Sequence, residues 1–388
     1  MRIGVVTDQR LRIQDGHIVS GTPLTGPLLA LCADSRDRVS FLARMWEGAA
    51  ESSVPDCGNT ELWALPEWHM LEAARAIPRA VMEAVRWLRS QDAVVLVMPS
   101  LSGLIVGSLL ILKPSRRAQP FIVVTRTFLS DAILMRLRAH ERLVMRPMLR
   151  VMESITRLIC RRAQDALFVS SAVRQGYPFG NSKIAPEVDW GALQRVVRTQ
   201  RRRDRIVYAG RLEVEKNPLL AIQAFAKANL SGIELSIVGD GSQRAMLEEY
   251  CRVHGISDVV FEGALSHESV LNVMAQSRLV LVPSLSEAFG LVAFEGLAVG
   301  AAVVHSGAGG LDEAVGGNMN AFRVTDLDPE AWANAMLAAL STERATGLDG
   351  RLRPAEWVTL EECVNRLRVV IGPQASSLRK ERTVERGE

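Results

Sequence analysis

Lysine is scarce in this chain: it supplies five of the 46 basic residues, and arginine supplies the rest. Chemistry that runs through a lysine-bound cofactor therefore has few residues to draw on. The five cysteines, Cys32, Cys57, Cys160, Cys251 and Cys363, are scattered with no paired spacing. That excludes a disulfide framework or a cysteine zinc site and fits a reducing, cytoplasmic setting. The six histidines (His17, His69, His140, His254, His267 and His305) show no metal-ligand spacing either. Charge of one sign is almost cancelled. A net charge of +3 over 388 residues leaves no electrostatic footprint for nucleic acid. The start, Met1-Arg2-Ile3-Gly4-Val5-Val6, enters a strand directly with no long apolar segment after it, so no signal peptide is expected.

Long apolar runs are nearly absent as well. The stretch from Ala93 to Leu112 carries no charge and has about the length of a bilayer crossing. It is interrupted by Pro99, Ser100, Ser102, Gly103, Gly107 and Ser108. The pattern predicts a buried strand over Ala93–Met98, a loop over Pro99–Gly103 and a packed helix over Leu104–Leu112.

What is present is a globular composition, 48% hydrophobic and 23% charged, in a chain long enough for two domains. The first part alternates short apolar runs with helical patterns. Strands are expected at Ile3–Thr7, Arg38–Ala43, Trp63–Leu65, Ala93–Met98, Phe121–Thr125 and Ala166–Ser170. Helices are expected at Leu24–Cys32 and Leu71–Arg89. Such alternation predicts parallel βαβ units. Arg198 to Arg205 is polar and basic and reads as an exposed linker. A second βα series follows from Ile206 to Leu340, with the signature of a complete doubly wound domain. The expected domains are therefore residues 1–197 and 206–354. A final amphipathic helix over 355–371 packs back on the first domain, and a charged tail over 372–388 is expected to be disordered.

Chemistry concentrates at strand ends in the second half. Gly210-Arg211-Leu212-Glu213-Val214-Glu215-Lys216 puts two cations after a strand. Val238-Gly239-Asp240-Gly241 lets backbone approach a ligand closely. Pro283-Ser284-Leu285-Ser286-Glu287-Ala288-Phe289-Gly290 leads from a strand into a helix that carries Glu295, and Gly307-Ala308-Gly309-Gly310-Leu311-Asp312-Glu313 repeats the loop-to-helix design. A helix start with free N–H groups suits phosphate, and carboxylates beside it suit hydroxyls. A nucleotide sugar carries both.

These residues, in this order, resemble the carboxyl-terminal domain of the retaining, family 4 (group 1) glycosyltransferases. Glu287 and Glu295 match the family's Glu-x7-Glu, with the surrounding Pro-Ser-x-x-Glu-x-Phe-Gly-Leu-Val and the later Gly-Gly-x-x-Glu. The resemblance implies an α/β, GT-B fold of two Rossmann-like doubly wound domains facing a cleft. It also implies transfer of a hexosyl unit, with retention, to a hydroxyl on a polysaccharide, a lipid-linked glycan or a small natural product. Arg211 and Lys216 would grip the donor diphosphate and Glu287 the transferred sugar, these three carrying catalysis. The backbone of Phe289, Gly290, Leu291 and Val292 would hold the distal phosphate and Glu295 the ribose. Gly239 and the turn containing Phe261 and Glu262 would line the nucleoside pocket. No metal or other cofactor is implied. A nucleotide-sugar-binding protein without turnover, or an epimerase or phosphorylase on the same architecture, is the competing reading.

The first half departs from the family. Its first loop offers only Gly21, and the strand end Val124-Thr125-Arg126-Thr127 lacks the usual histidine, leaving Arg126 or Thr127 for an acceptor-side role. Arg136 to Arg162 interleaves arginines with Leu, Val, Met and Ile. Pro147 is expected to split it into two helices, and its basic face suits either solvent or an anionic membrane surface. Asp326-Leu327-Asp328 ahead of Pro329 reads as a helix cap rather than a metal motif. His254 and His267 read as helix-end residues, and His305 as a packing residue or a ligand contact.

Overall fold

The computed structural model describes residues 1–14, 17–20, 28, 31–32, 37–45, 52–53, 60–66, 73–112, 119–126, 139–177, 179–196, 204–341 and 357–369. The chain forms two compact units, Met1–Glu187 with Glu356–Glu388, and Val188–Ala355.

The first unit contains strands β1 (Arg2–Gln14), β2 (His17–Ser20), β3 (Arg38–Met45), β4 (Ser52–Ser53), β5 (Thr60–Leu65), β6 (Ala93–Met98), β7 (Phe121–Thr125), β8 (Asp165–Phe168) and β9 (Ser182–Ile184). Its helices include α1 (Ala73–Leu88), α2 (Leu101–Leu112), α3 (Ala139–Arg162) and α4 (Ser171–Arg174). The parallel part of the sheet runs β5-β3-β1-β6-β7-β8-β9, the doubly wound order with its switch point between β1 and β6. Strands β6 and β7 are buried at every position, as apolar runs covered on both faces must be. Past Val6 the register of β1 shifts, and its far end pairs antiparallel with β2, a hairpin that extends the expected Ile3–Thr7 strand.

The second unit begins earlier than expected. Helix α5 (Trp190–Arg195) lies ahead of the basic run, and its Ala192 and Val196 join the apolar cluster of Val207, Val280 and Val303. The boundary therefore falls at residue 187/188 rather than at 198–205. Composition marked the polar run but not the packing of the segment before it. Strands β10 (Arg205–Ala209), β11 (Glu234–Val238), β12 (Val259–Gly263), β13 (Leu279–Val282), β14 (Ala302–His305) and β15 (Ala321–Arg323) form an all-parallel sheet in the order β12-β11-β10-β13-β14-β15. The helices are α6 (Pro218–Ala228), α7 (Arg244–Val253), α8 (His267–Ala275), α9 (Leu291–Ala298), α10 (Leu311–Val315) and α11 (Pro329–Ser341). Alternate residues of β10 enter opposite cores: Ile206 and Tyr208 one, Val207 and Ala209 the other. That two-sided burial explains the unbroken apolar strands.

Helix starts follow their local chemistry. Asp328 accepts from the N–H groups of Glu330 and Ala331 at 3.0 and 3.1 Å, the expected cap of α11. A last helix, α12 (residues 360–369), opens with a reciprocal cap: Glu362 N–H donates to Thr359 Oγ1 at 3.1 Å, and Thr359 N–H to Glu362 at 2.9 Å. It packs on the first unit through Leu360, Cys363, Val364 and Leu367, and Arg366 pairs with Asp165 at 3.1 Å. The tail over 372–388 lies outside the described residues.

Helix α3 runs unbroken through Pro147, so the expected two helices are one. Proline removes one hydrogen bond, but the flanking turns supply the rest and hold the helix together. Among the described residues no helix is long and apolar enough to cross a membrane.

Candidate functional site

The carboxyl ends of β10, β11 and β12 are stitched together by backbone. Gly210 N–H donates to the Val238 carbonyl at 2.9 Å, Gly239 N–H to Gly263 at 2.8 Å, and Leu212 N–H to Asp240 at 2.9 Å. Gly239 has φ +134°, and a Cβ there would stand 1.9 Å from the Gly210 carbonyl oxygen. Only glycine lets the first two loops approach this closely.

The loop after β10 carries the two expected cations. Arg211 is 57% exposed and pairs with Glu215 at 2.7 Å. Lys216 is more enclosed, and its Nζ lies 2.6 Å from Oε1 of Glu287. Ser284 Oγ donates to the same Glu287 oxygen at 2.9 Å, and Ser306 Oγ donates to the Ser284 carbonyl at 2.6 Å. Leu285 N–H donates to the Glu215 carbonyl at 2.8 Å and joins the β10 and β13 loops. Tyr208 braces the first loop from below, donating its hydroxyl to the Arg211 carbonyl at 3.0 Å. Burial, then the nearby Glu287 charge, push the Tyr208 phenol well above its ordinary range, so it stays a neutral donor.

The Glu287 loop is gripped from the other side by the glycine loop after β14. Gly310 N–H donates to the Glu287 carbonyl at 3.0 Å. A Cβ on Gly309 (φ +61°) would lie 1.9 Å from that carbonyl oxygen, and one on Gly310 2.5 Å from the Ala288 oxygen. Gly290, at φ +103°, then turns the chain into α9. The first N–H groups of α9, including those of Leu291 and Val292, lie in the turn that has no intrahelical acceptor and carries the positive end of the helix dipole. Phe289 is 3% exposed and packs near Phe294, so its side chain anchors the loop while its backbone is part of the turn.

Lys216 and Glu287 are therefore brought together at the switch point between β10 and β13, while Arg211, on the same loop as Lys216, pairs with Glu215. Glu295 has a different partner, the imidazole of His267 at 2.8 Å. Sequence reasoning read His267 as a helix-end residue, which it is, but nothing in the spacing pointed to its contact with Glu295. Phe261 and Glu262 lie on β12, and Glu262 is 3.8 Å from Arg205. In the first unit Arg126 follows the last residue of β7, with its Nε 3.0 Å from Glu187. Gly21 and Thr127 lie outside the described residues. His305 is 2% exposed, and burial lowers its pKa, which makes it a neutral packed residue at the end of β14. Among the described residues no three His, Cys, Asp or Glu side chains are grouped to hold a metal ion.

Residues 193–353 match the family model described as glycosyl transferases group 1. The D-inositol 3-phosphate glycosyltransferase of Mycolicibacterium smegmatis is 37% identical over 146 residues, 36% of this chain and 33% of that protein. The GDP-mannose-dependent alpha-(1-6)-phosphatidylinositol dimannoside mannosyltransferase of Mycobacterium tuberculosis is 32% identical over 177 residues, 45% of each chain. The matches thus span about a third to under a half of these relatives' own lengths. Solved structures extend the likeness over the whole chain. Sucrose-phosphate synthase from Thermosynechococcus elongatus superposes with a TM-score of 0.66 at 17% identity, covering 97% of this chain and 99% of its own. Anabaena Alr3699/HepE, in complex with UDP and glucose, does so at 0.59 and 18%, covering 98% and 99%. At these identities the structural likeness shows the fold, GT-B.

Proposed function

We propose that this chain, whose second unit is a glycosyl transferases group 1 domain on a GT-B fold, transfers a hexosyl unit from a nucleotide sugar to a hydroxyl acceptor with retention of anomeric configuration. The observation that carries the reading is the Lys216–Glu287 pair at one switch point, with Arg211 on the Lys216 loop and the start of α9 four residues after Glu287 in sequence. Cleavage of the sugar–phosphate bond leaves growing negative charge on the departing nucleoside diphosphate. Two cations and a helix amino terminus counter that charge without metal. Each such group contributes roughly 3–4 kcal/mol of barrier where it acts fully, on the order of a hundredfold or more in rate. Glu287 is fixed through one oxygen by Lys216 and Ser284, which suits it to accept hydroxyls of the transferred sugar.

In this reading the acceptor oxygen attacks C1 from the face that the phosphate leaves. The C1–O bond to phosphate breaks, the new C1–O bond forms, and the acceptor proton passes to the departing phosphate oxygen. No side-chain general base is required. The acceptor is a polysaccharide, a lipid-linked glycan or a small natural product. Helix α3 presents Arg146, Arg150, Arg157 and Arg161 beside exposed Met148, Val151 and Leu158, which supports peripheral contact with anionic lipid.

Slow donor hydrolysis tests the reading against a binding protein without turnover. Wild-type protein incubated with UDP-, GDP-, ADP- and TDP-linked sugars should release free sugar from one of them, and Glu287→Ala should abolish that release. Proton NMR of the transfer product should show the donor's anomeric configuration. Binding without release, or release untouched by Glu287→Ala, contradicts the proposal.

A further inference from the structure

Glu295, one turn beyond the start of α9, is 5% exposed, and its Oε1 stands 2.8 Å from Nε2 of His267. His267 is the first residue of α8, whose preceding Ser266 caps the helix by accepting from Ser269 N–H at 3.3 Å. The imidazole is held on a rigid element. Three charged groups face it: Glu295 from α9, and Asp189 and Arg195 from α5 and its cap. Helix α5 also braces α9, because Trp190 packs edge-on against Phe294 at 5.6 Å. The sequence motif that contains Glu295 gives no reason for a histidine from another helix to be there.

A carboxylate that is to accept two hydroxyls must be ionised and fixed. Buried without a partner it takes up a proton, and a protonated carboxyl donates from one oxygen instead of accepting at both. We infer that His267 is a positioning residue that holds Glu295 aimed at the vicinal hydroxyls of the donor's ribose. The inference rests on the nucleotide-sugar reading above. The hydrogen bond to Glu295 raises the His267 pKa above its ordinary value, against the opposing effect of burial. The imidazole therefore carries its charge below that raised value and loses it as pH rises through it. A neutral ring can still donate from Nε2, but without charge assistance. The grip on the ribose should weaken as pH rises.

The test is calorimetric titration of UDP, GDP and ADP, each against its 2′-deoxy counterpart, at about pH 6 and about pH 8.5, on either side of the imidazole range. The ratio of the two affinities cancels phosphate titration, which both ligands share. Wild-type protein should prefer the ribonucleotide it binds best by about tenfold or more, since a site built around a hydroxyl rejects the analogue lacking it. The preference should be larger at the lower pH. His267→Ala should bring the ratio toward one, and His267→Gln, which keeps a donor, should hold most of it without the pH dependence. The NMR titration midpoint of His267 should fall toward the ordinary imidazole value in Glu295→Gln. An unchanged ratio in His267→Ala, or an unchanged midpoint in Glu295→Gln, overturns the inference alone. Failure of all three nucleotides to bind overturns it together with the nucleotide-sugar reading.

Discussion

Replacing Gly309 with alanine separates the cost of a strained backbone from the cost of moving the Glu287 loop. Gly309 has φ +61°, and Gly316 has φ +57°. Both substitutions put an L side chain in the left-handed region, at about 1 kcal/mol each. At Gly316 an added Cβ meets nothing within 4 Å, so strain is the whole effect. At Gly309 it would sit 1.9 Å from the Glu287 carbonyl oxygen. Ordinary contact requires the loop to retreat by roughly 1 Å. The retreat weakens the Gly310 N–H bond to the same carbonyl, 3.0 Å in the structure, at about 1 kcal/mol. It also drags Glu287 away from Lys216. A misplacement of about 1 Å costs on the order of a hundredfold in rate. Thermal unfolding of the second unit should fall by about 2–4 °C in Gly316→Ala and by roughly two to three times as much in Gly309→Ala. Donor turnover should survive in the first variant and drop about a hundredfold in the second. Equal losses of stability and turnover in the two variants would refute the reasoning.

Asp328→Ala removes a cap that satisfies two N–H groups of α11, and should cost about 1 kcal/mol in denaturant unfolding, with turnover unchanged. The two perturbed histidines act on opposite limbs of the pH–stability curve. The raised pKa of His267 gives stability that is fully present below the ordinary imidazole value and lost as pH rises through the raised one. The lowered pKa of His305 gives the reverse, stability present above the ordinary value and lost as pH falls toward the depressed one. His267→Gln should flatten the alkaline limb of a melting-temperature profile, and His305→Gln the acid limb. Reversing Arg150 and Arg157 to glutamate should weaken sedimentation with anionic vesicles by more than about tenfold, at roughly 1 kcal/mol per surface arginine. Binding to zwitterionic vesicles should not change.

The second unit was legible because its parallel strands are covered on both faces and read as unbroken apolar runs. Leu279–Val282 and Ala302–His305 are two such strands, buried at every position. Asp328 and Pro329 marked a helix start through local chemistry. The first unit was less legible. Leu11-Arg12-Ile13-Gln14 and His17-Ile18-Val19-Ser20 flank Asp15-Gly16, a hairpin signal passed over in favour of a single short strand. Trp190 packs on Phe294, a partner far away in sequence that no local pattern reveals. Pro147 looked like a break because proline disfavours a helix interior, yet a helix this long loses only one hydrogen bond to it and runs on. At the site, the cations and Glu287 were readable as strand-end residues. The ion pair of Lys216 with Glu287 and the Ser284–Ser306 relay came only from the fold. The contact between His267 and Glu295 joins two helices and has no local sequence signature.

The most direct measurement is the dissociation constant of UDP, GDP and ADP for wild-type protein and for the double variant Arg211→Ala with Lys216→Ala, by isothermal titration calorimetry. Loss of both cations proposed to grip the diphosphate should weaken the best nucleotide by about a hundredfold or more, at roughly 1.5–3 kcal/mol for each charged hydrogen bond. Nucleotide binding of equal strength in the two proteins would contradict the proposed pyrophosphate site.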